Sequence, residues 1–151
     1  MQISARGEYA VRAALGLAAA YPELVSAHAL AEEHEMPRKF LEAVLADLRR
    51  AGLVRAQRGS DGGYTLARPP AEVSVGAVLR AVDGPLAGVR GIRPEDTSYG
   101  GAAEYLPRLW VAVRAAVRDV VDEVSLAELR SGRMPAHVRK LTTRADAWQP
   151  R

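Results

Sequence analysis

Cysteine is absent from the 151 residues, which excludes disulfides, thiolate metal sites and cysteine nucleophiles together. Aromatic residues make up only 5% of the chain, so the core has to be built from aliphatic side chains and alanine. Lysine is nearly missing as well: Lys39 and Lys140 are the only two, and the pI near 9.6 rests on arginine. No apolar run is long enough to span a bilayer; the best small-apolar stretch, 13 to 20, is too short and contains Gly16. The start, MQISARGEYAV, carries charge where a secretory leader needs an apolar centre, and the expectation is a soluble cytoplasmic protein with no membrane partner. Signs of an enzyme are missing too: there is no GK[ST] phosphate loop, no nucleophile with a matched base and no convergent carboxylate pair.

What is present centres on 36 to 68, MPRKFLEAVLADLRRAGLVRAQRGSDGGYTLAR. Leu41, Val44, Leu45 and Leu48 have the spacing of one buried helix face, while Arg38, Lys39, Glu42, Ala43 and Arg49 fall away from it. Pro37 suits the first helical turn and Gly52 the position past the end. Beyond it, 53 to 58 and 64 to 67 read as short strands joined by the turn Gly59-Ser60-Asp61-Gly62-Gly63. That turn joins strands and opens no helix, so it is not a nucleotide cradle. Seven basic residues against three acidic ones give 38 to 68 a local excess of four, larger than the +3 of the whole chain. A helix followed by a hairpin, both basic, is the form in which a winged helix meets DNA, and charge gathered on one element marks a polyanion site. The competing reading is an ordinary solvated helix face.

Around this stretch the pattern is mainly helical. A helix from Ser4 to about Ala20 presents Val11, Ala14, Leu15 and Ala18 on one face and ends at Tyr21-Pro22; a second, after Ser26, stops near His34-Glu35. With the helix after Pro37 this makes a helix-turn-helix. Ser74 caps a short helix carrying Val75, Val78, Leu79 and Val82. Residues 86 to 103 are irregular and glycine-rich. From Glu104 to Val124 an apolar stripe returns at Leu106, Leu109, Trp110, Val113, Val117, Val120, Val121 and Val124, on a long helix with too little chain left to cover it; a second copy of the chain is the simplest partner. Ser125 and Glu128 form a capping box for a short helix, and 133 to 151 reads as a basic tail ordered only if Trp148 finds a pocket.

Three phrases in order, ISARGEYAVRAALGLA, FLEAVLADLRRAGLVRAQRGSDGGYTLARP and VSVGAVLRAVDGP, resemble the Rrf-two family of bacterial winged helix-turn-helix transcription regulators over roughly residues 1 to 132. The resemblance implies a mainly α fold with a small β-hairpin wing. It divides the chain into a DNA-binding domain at 1–83, an irregular sensor-type loop at 84–103, a dimerisation helix with the following short helix at 104–132, and the tail at 133–151. It implies a homodimeric repressor bound to double-stranded DNA at a pseudo-palindromic operator. The expected DNA-contacting set is Arg38, Lys39, Phe40, Glu42, Ala43, Arg49, Arg50, Arg58, Gly59 and Ser60. Members that carry an iron-sulfur cluster hold it with cysteines in or near the loop; this chain has none, so no cofactor is expected.

Other inputs remain open. Glu8 and His34 are a carboxylate–imidazole pair for a divalent metal, short of a third ligand. Tyr99, Tyr105 and Trp110 stand near the loop and could line a small-molecule pocket or pack together at the base of the long helix. The alternative to a DNA-binding regulator is a winged-helix module for protein contacts that has lost DNA affinity, or a regulator gated by a small molecule or divalent metal near 86 to 110.

Overall fold

Leu41, Val44, Leu45 and Leu48 are all fully buried, and the first half of the chain closes around them. The computed structural model describes residues 2–150. Its helices are α1 (Ala5–Ala20), α2 (Ala27–Glu33), α3 (Arg38–Arg50), α4 (Val75–Asp83), α5 (Leu106–Val121), α6 (Leu126–Ser131) and α7 (Ala136–Thr142). Strands β1 (Val54–Gln57) and β2 (Gly63–Leu66) form one antiparallel hairpin, and single 3-10 turns punctuate the loops. No helix among the described residues is long and apolar enough to cross a membrane.

Four helices begin at a serine whose hydroxyl oxygen accepts a first-turn N–H: Ser4 before α1, Ser26 before α2, Ser74 before α4 and Ser125 before α6. At Ser125 the capping box expected from the sequence is complete, with Glu128 accepting from the Ser125 backbone N–H at 2.9 Å. Helices α3, α5 and α7 begin without such a cap. Pro37 occupies the N-cap position of α3, just outside the first turn, and no side chain caps that helix.

The inner surface of α1 is made of small residues. Ala10, Ala13, Ala14 and Ala18 are buried with Leu17, while Val11 and Leu15, expected on the buried face, are only half-buried. The face turns toward the alanines because α1 packs against α3, α4, β2 and α6, and short side chains let those backbones approach.

The hairpin pairs Val54 with Leu66 through Gln57 with Gly63. Val25, from the connection between α1 and α2, adds one rung on the other edge of β2: its N–H donates to Tyr64 O at 2.9 Å and its carbonyl accepts from the Tyr64 N–H at 2.8 Å. A Cβ on Gly63 would lie 2.6 Å from Val25 O, so only glycine lets that rung close.

Three expectations are corrected downstream. Helix α5 is 16 residues long, shorter at both ends than the 104–124 stripe. It stops where Asp122 turns toward Arg80 of α4 at 2.8 Å, and Val124 lies beyond it, buried in the head. There the Val124 carbonyl accepts the Val75 N–H and the Leu126 N–H donates to Val73 O, each at 2.9 Å, so Ser74 and Ser125 lie side by side. Leu126 is fully buried in the head core, which places α6 in the head and not beyond the long helix. The tail forms α7 without any pocket for Trp148, which is 77% exposed; Val138 buries one face of α7 and His137 Nε2 meets Asp119 O of α5 at 2.8 Å.

Candidate nucleic-acid interface

The amphipathic sequence of α3 has a direct structural result: as one face is consumed by the core, Arg38, Lys39, Phe40, Glu42, Ala43, Arg49 and Arg50 are all left exposed. They divide into two groups. Arg38 to Ala43 occupy the first turns, and Arg49 and Arg50 the last, their centres separated by roughly 14 Å of helix rise. Groups so far apart cannot read the same base pair. Arg58, Gly59 and Ser60 form a third exposed group at the hairpin tip, where Gly59 has φ 113° and nothing crowds it.

Within the first group Arg38 Nε donates to Glu42 Oε1 at 3.0 Å, so the carboxylate most suited to accept from a base is held by its own helix. Phe40 is 38% exposed and lies edge-to-face with Tyr9 of α1, centroids 5.1 Å apart. Lys39 forms no ion pair among the described residues.

Sequence reasoning missed the anchor of the far end. Asp47 is a buried carboxylate on the inner flank of α3, and it accepts from Arg6 of α1 through Oδ2 and from Arg50 through Oδ1 at 2.7 Å. The Arg6 guanidinium holds the Asp47 carboxyl below its ordinary value; burial opposes this, and Arg50 adds to the lowering. An acid beside an apolar stripe was the available signal, because a buried charge needs a cation. The carboxylate both fastens α3 to α1 and fixes one of the outward arginines.

A pH dependence follows. Because the folded-state value is depressed, the stabilisation is fully present above the ordinary carboxyl value of about 3.8 and is lost as the pH falls through the depressed one. Asp47→Asn is expected to cost roughly 1–2 kcal/mol at neutral pH, reduced by the exposure of both arginines. The gap to the wild type should close below about pH 4, as measured by urea unfolding across a pH series.

The expected self-association face lies on α5, none of whose residues is buried. Leu109 is 53% exposed; Val113, Val117, Val120 and Val121, with Ala116, line an apolar groove of about 410 Å³. Leu106 is half-buried. Of the expected stripe, Val124 is taken up by the rest of the fold and Trp110 by a cleft against Ala87, Gly88 and Val89, which leaves Leu106, Leu109, Val113, Val117, Val120 and Val121 along α5.

The aromatic trio does not converge. Trp110 lines a cleft with Ala87, Gly88, Val89 and Val113, but Tyr105 is exposed beneath the Arg108 guanidinium and Tyr99 is not part of that lining. Glu8 and His34 do not converge either. Arg12 stands between them, donating to Glu8 Oε1 at 3.3 Å and to the His34 carbonyl, while His34 Nε2 is buried facing Gly16. Among the described residues no group of three or more His, Cys, Asp or Glu is placed to hold a metal ion. The donor set does not fit an iron-sulfur cluster, which needs thiolates the chain lacks.

Comparison with known proteins agrees with this geometry. Residues 3–131 match the Rrf2 family, described as iron-dependent transcriptional regulators. A Mycobacterium tuberculosis protein assigned to the HTH-type transcriptional regulators is 46% identical over 142 residues, spanning 93% of this chain and 88% of that one. The HTH-type regulator CymR of Bacillus subtilis is 31% identical over 132 residues, 87% of this chain and 91% of that one. The solved structure of B. subtilis CymR, described as a global cysteine regulator, superposes with a TM-score of 0.73 at 30% identity, covering 87% of this chain and 98% of that chain. The structure of T. potens IscR gives 0.70 at 29% identity, covering 87% and 88%. With a winged helix-turn-helix fold, an exposed basic reading helix and a family match over most of its length, the chain belongs to the Rrf2 family of DNA-binding, non-catalytic transcriptional regulators, as a member without the cysteines for a cluster.

Proposed function

We propose that the protein is a homodimeric repressor that binds a pseudo-palindromic operator and works in the cytoplasm without an iron-sulfur cluster. The observation that carries this is the outward face of α3: its opposite face is fully buried, so the basic residues are presented on a rigid rod with the wing directly following. In this reading the first turns of α3 enter the major groove. Arg38 and Lys39 supply donors for guanine edges or phosphates, Glu42 accepts from a cytosine amino group once Arg38 releases it, and Ala43 and Phe40 offer apolar contact to thymine methyls. The first-turn N–H groups of α3, uncapped by any side chain, face a phosphate. Arg49 and Arg50 take phosphates at the far end. Arg58 enters the minor groove, with Gly59 allowing close approach and the Ser60 hydroxyl donating to a backbone oxygen.

Pairing of the α5 faces at Leu106, Leu109, Val113, Val117, Val120 and Val121 joins two heads, 1–83 together with α6, so that two reading helices address successive half-sites. Occupation of a promoter by such a dimer blocks polymerase without further machinery. The 84–103 loop is the place for an input signal.

Selection of bound duplexes from random DNA should return a two-fold related motif whose affinity falls steeply with salt. Arg58→Ala should weaken binding by about tenfold, whereas Arg139→Ala on α7 should leave it within about twofold. Fluorescence anisotropy on the selected duplex measures both. Equal losses would remove Arg58 and the wing from the interface, and no selected motif at low salt would point to a module for protein contacts instead.

A further inference from the structure

The end of α4, the loop after it and the middle of α5 enclose a cleft of about 450 Å³ lined by Arg80, Arg93, Arg114 and Arg118 with Pro85 and Glu95. Four arginines line it together with a single carboxylate. Arg80 is occupied from outside the lining, by Asp122 at 2.8 Å. The Arg114 side chain is only 13% exposed and holds Glu95 Oε2 at 2.5 Å. Arg93 lends its charge to Glu95 from nearby, and Arg118 forms no ion pair among the described residues. Two positive charges in the concavity are therefore unspent. Like charges held together beside a partly buried arginine repel unless an anion joins them. The reading helix and the wing contribute nothing to the lining.

The Glu95 contact is informative in itself. It shows that the most enclosed guanidinium already accepts a carboxylate, delivered by the chain's own loop. Guanidinium forks match carboxylate and phosphate oxygens in pairs, and three of them around one space suit a ligand with more than one anionic group.

We propose that this cleft binds a compact small-molecule oxyanion carrying two or more negative charges, held by Arg93, Arg114 and Arg118, and that Glu95 is the internal competitor seated on Arg114 in its absence. The ligand displaces Glu95, freeing the 84–103 loop from α5. A consequence for operator affinity rests on the DNA-binding reading above; the binding itself does not.

The test is calorimetry on the full chain with two probes, inorganic pyrophosphate and citrate, at ionic strength matched with sodium chloride. Phosphate and carboxylate ligands are thereby distinguished, and no DNA is present. The wild type is expected to bind at least one probe. Arg93→Gln combined with Arg118→Gln should weaken that binding by at least about tenfold. Neither side chain makes a hydrogen bond or close ion pair among the described residues, and circular dichroism checks that the variant is folded. Glu95→Gln should tighten binding, by about threefold, by removing the competitor. Arg139→Gln should bind as the wild type does. Absence of heat with both probes, or equal binding by the double variant, overturns the proposal. Loss of operator affinity in the double variant while the wild type ignores both probes also overturns it, assigning these arginines to duplex phosphates. Unchanged affinity in Glu95→Gln overturns the competitor role.

Discussion

Val117→Glu is expected to convert the protein to a monomer and to lower operator affinity by more than about a hundredfold. Helix α5 has 16 residues and none is buried, although its apolar side carries valines at 113, 117, 120 and 121 around a common groove. A face of this kind is stabilised by roughly 25 cal/mol for each Å² of apolar surface removed from water, and a stable pairing commonly covers about 800 Å² on each side. Val117 sits at the centre of that groove, so a carboxylate there would be buried without a partner, at a cost of several kcal/mol. The head should survive, because Val117 contributes nothing to its core. Sedimentation equilibrium and anisotropy on the same samples measure the two effects. Ala115→Glu, exposed and outside the groove lining, should change neither. A Val117→Glu protein that remains dimeric with native affinity would remove α5 from the assembly.

Leu45→Ala is expected to destabilise the head by roughly 3 kcal/mol, within the usual range of about 2–5 kcal/mol for a fully buried leucine. Leu45 is completely buried in the core where α3 meets α1 and α4, and apart from Leu17 the buried face of α1 is alanine and glycine, which have no side chain able to swing into the space. The cavity therefore stays open. Against a total stability of about 5–15 kcal/mol this is a large fraction, and for a chain of this length it lowers the melting temperature by about 6–12 °C. Guanidinium unfolding with an unchanged slope would confirm that only stability has moved. A loss under about 1 kcal/mol would mean that α1 closes onto α3 and that the helix–helix spacing is soft.

The reading helix was legible because its two faces differ so sharply: Leu41, Val44, Leu45 and Leu48 fall on one period and the charges on the other, and local pattern alone sets which side is inward. The serine caps were legible for a similar reason, since each acts within its own first turn. On α1 the expectation holds in part: Ala14 and Ala18 are buried, but Val11 and Leu15 only half, and Ala10, Ala13 and Leu17 complete the inner face. When four elements surround a helix, alanine is as buried as leucine, and a periodicity that weights large side chains points to the wrong sector. Contacts distant in sequence left no local trace: the Val25–Tyr64 rung, the Arg6–Asp47 pair and the return of Val124 to Val75 each join segments that no window contains together. The cleft arginines illustrate the same limit, being spread from 80 to 118 with nothing in their spacing to unite them.

The chain leaves the head at the end of α4 and re-enters it at Val124, whose carbonyl accepts the N–H of Val75 at the start of that same helix, so the excursion from 84 to 121 begins and ends on α4. Lengthening or rewriting 84–103 need not move either end, since α4 is held by α1 and α3 and the return by the Val124–Val75 and Leu126–Val73 backbone hydrogen bonds, not by the path taken outside. The packing of α1, α3 and the hairpin can thus stay as it is while the excursion changes in length or composition.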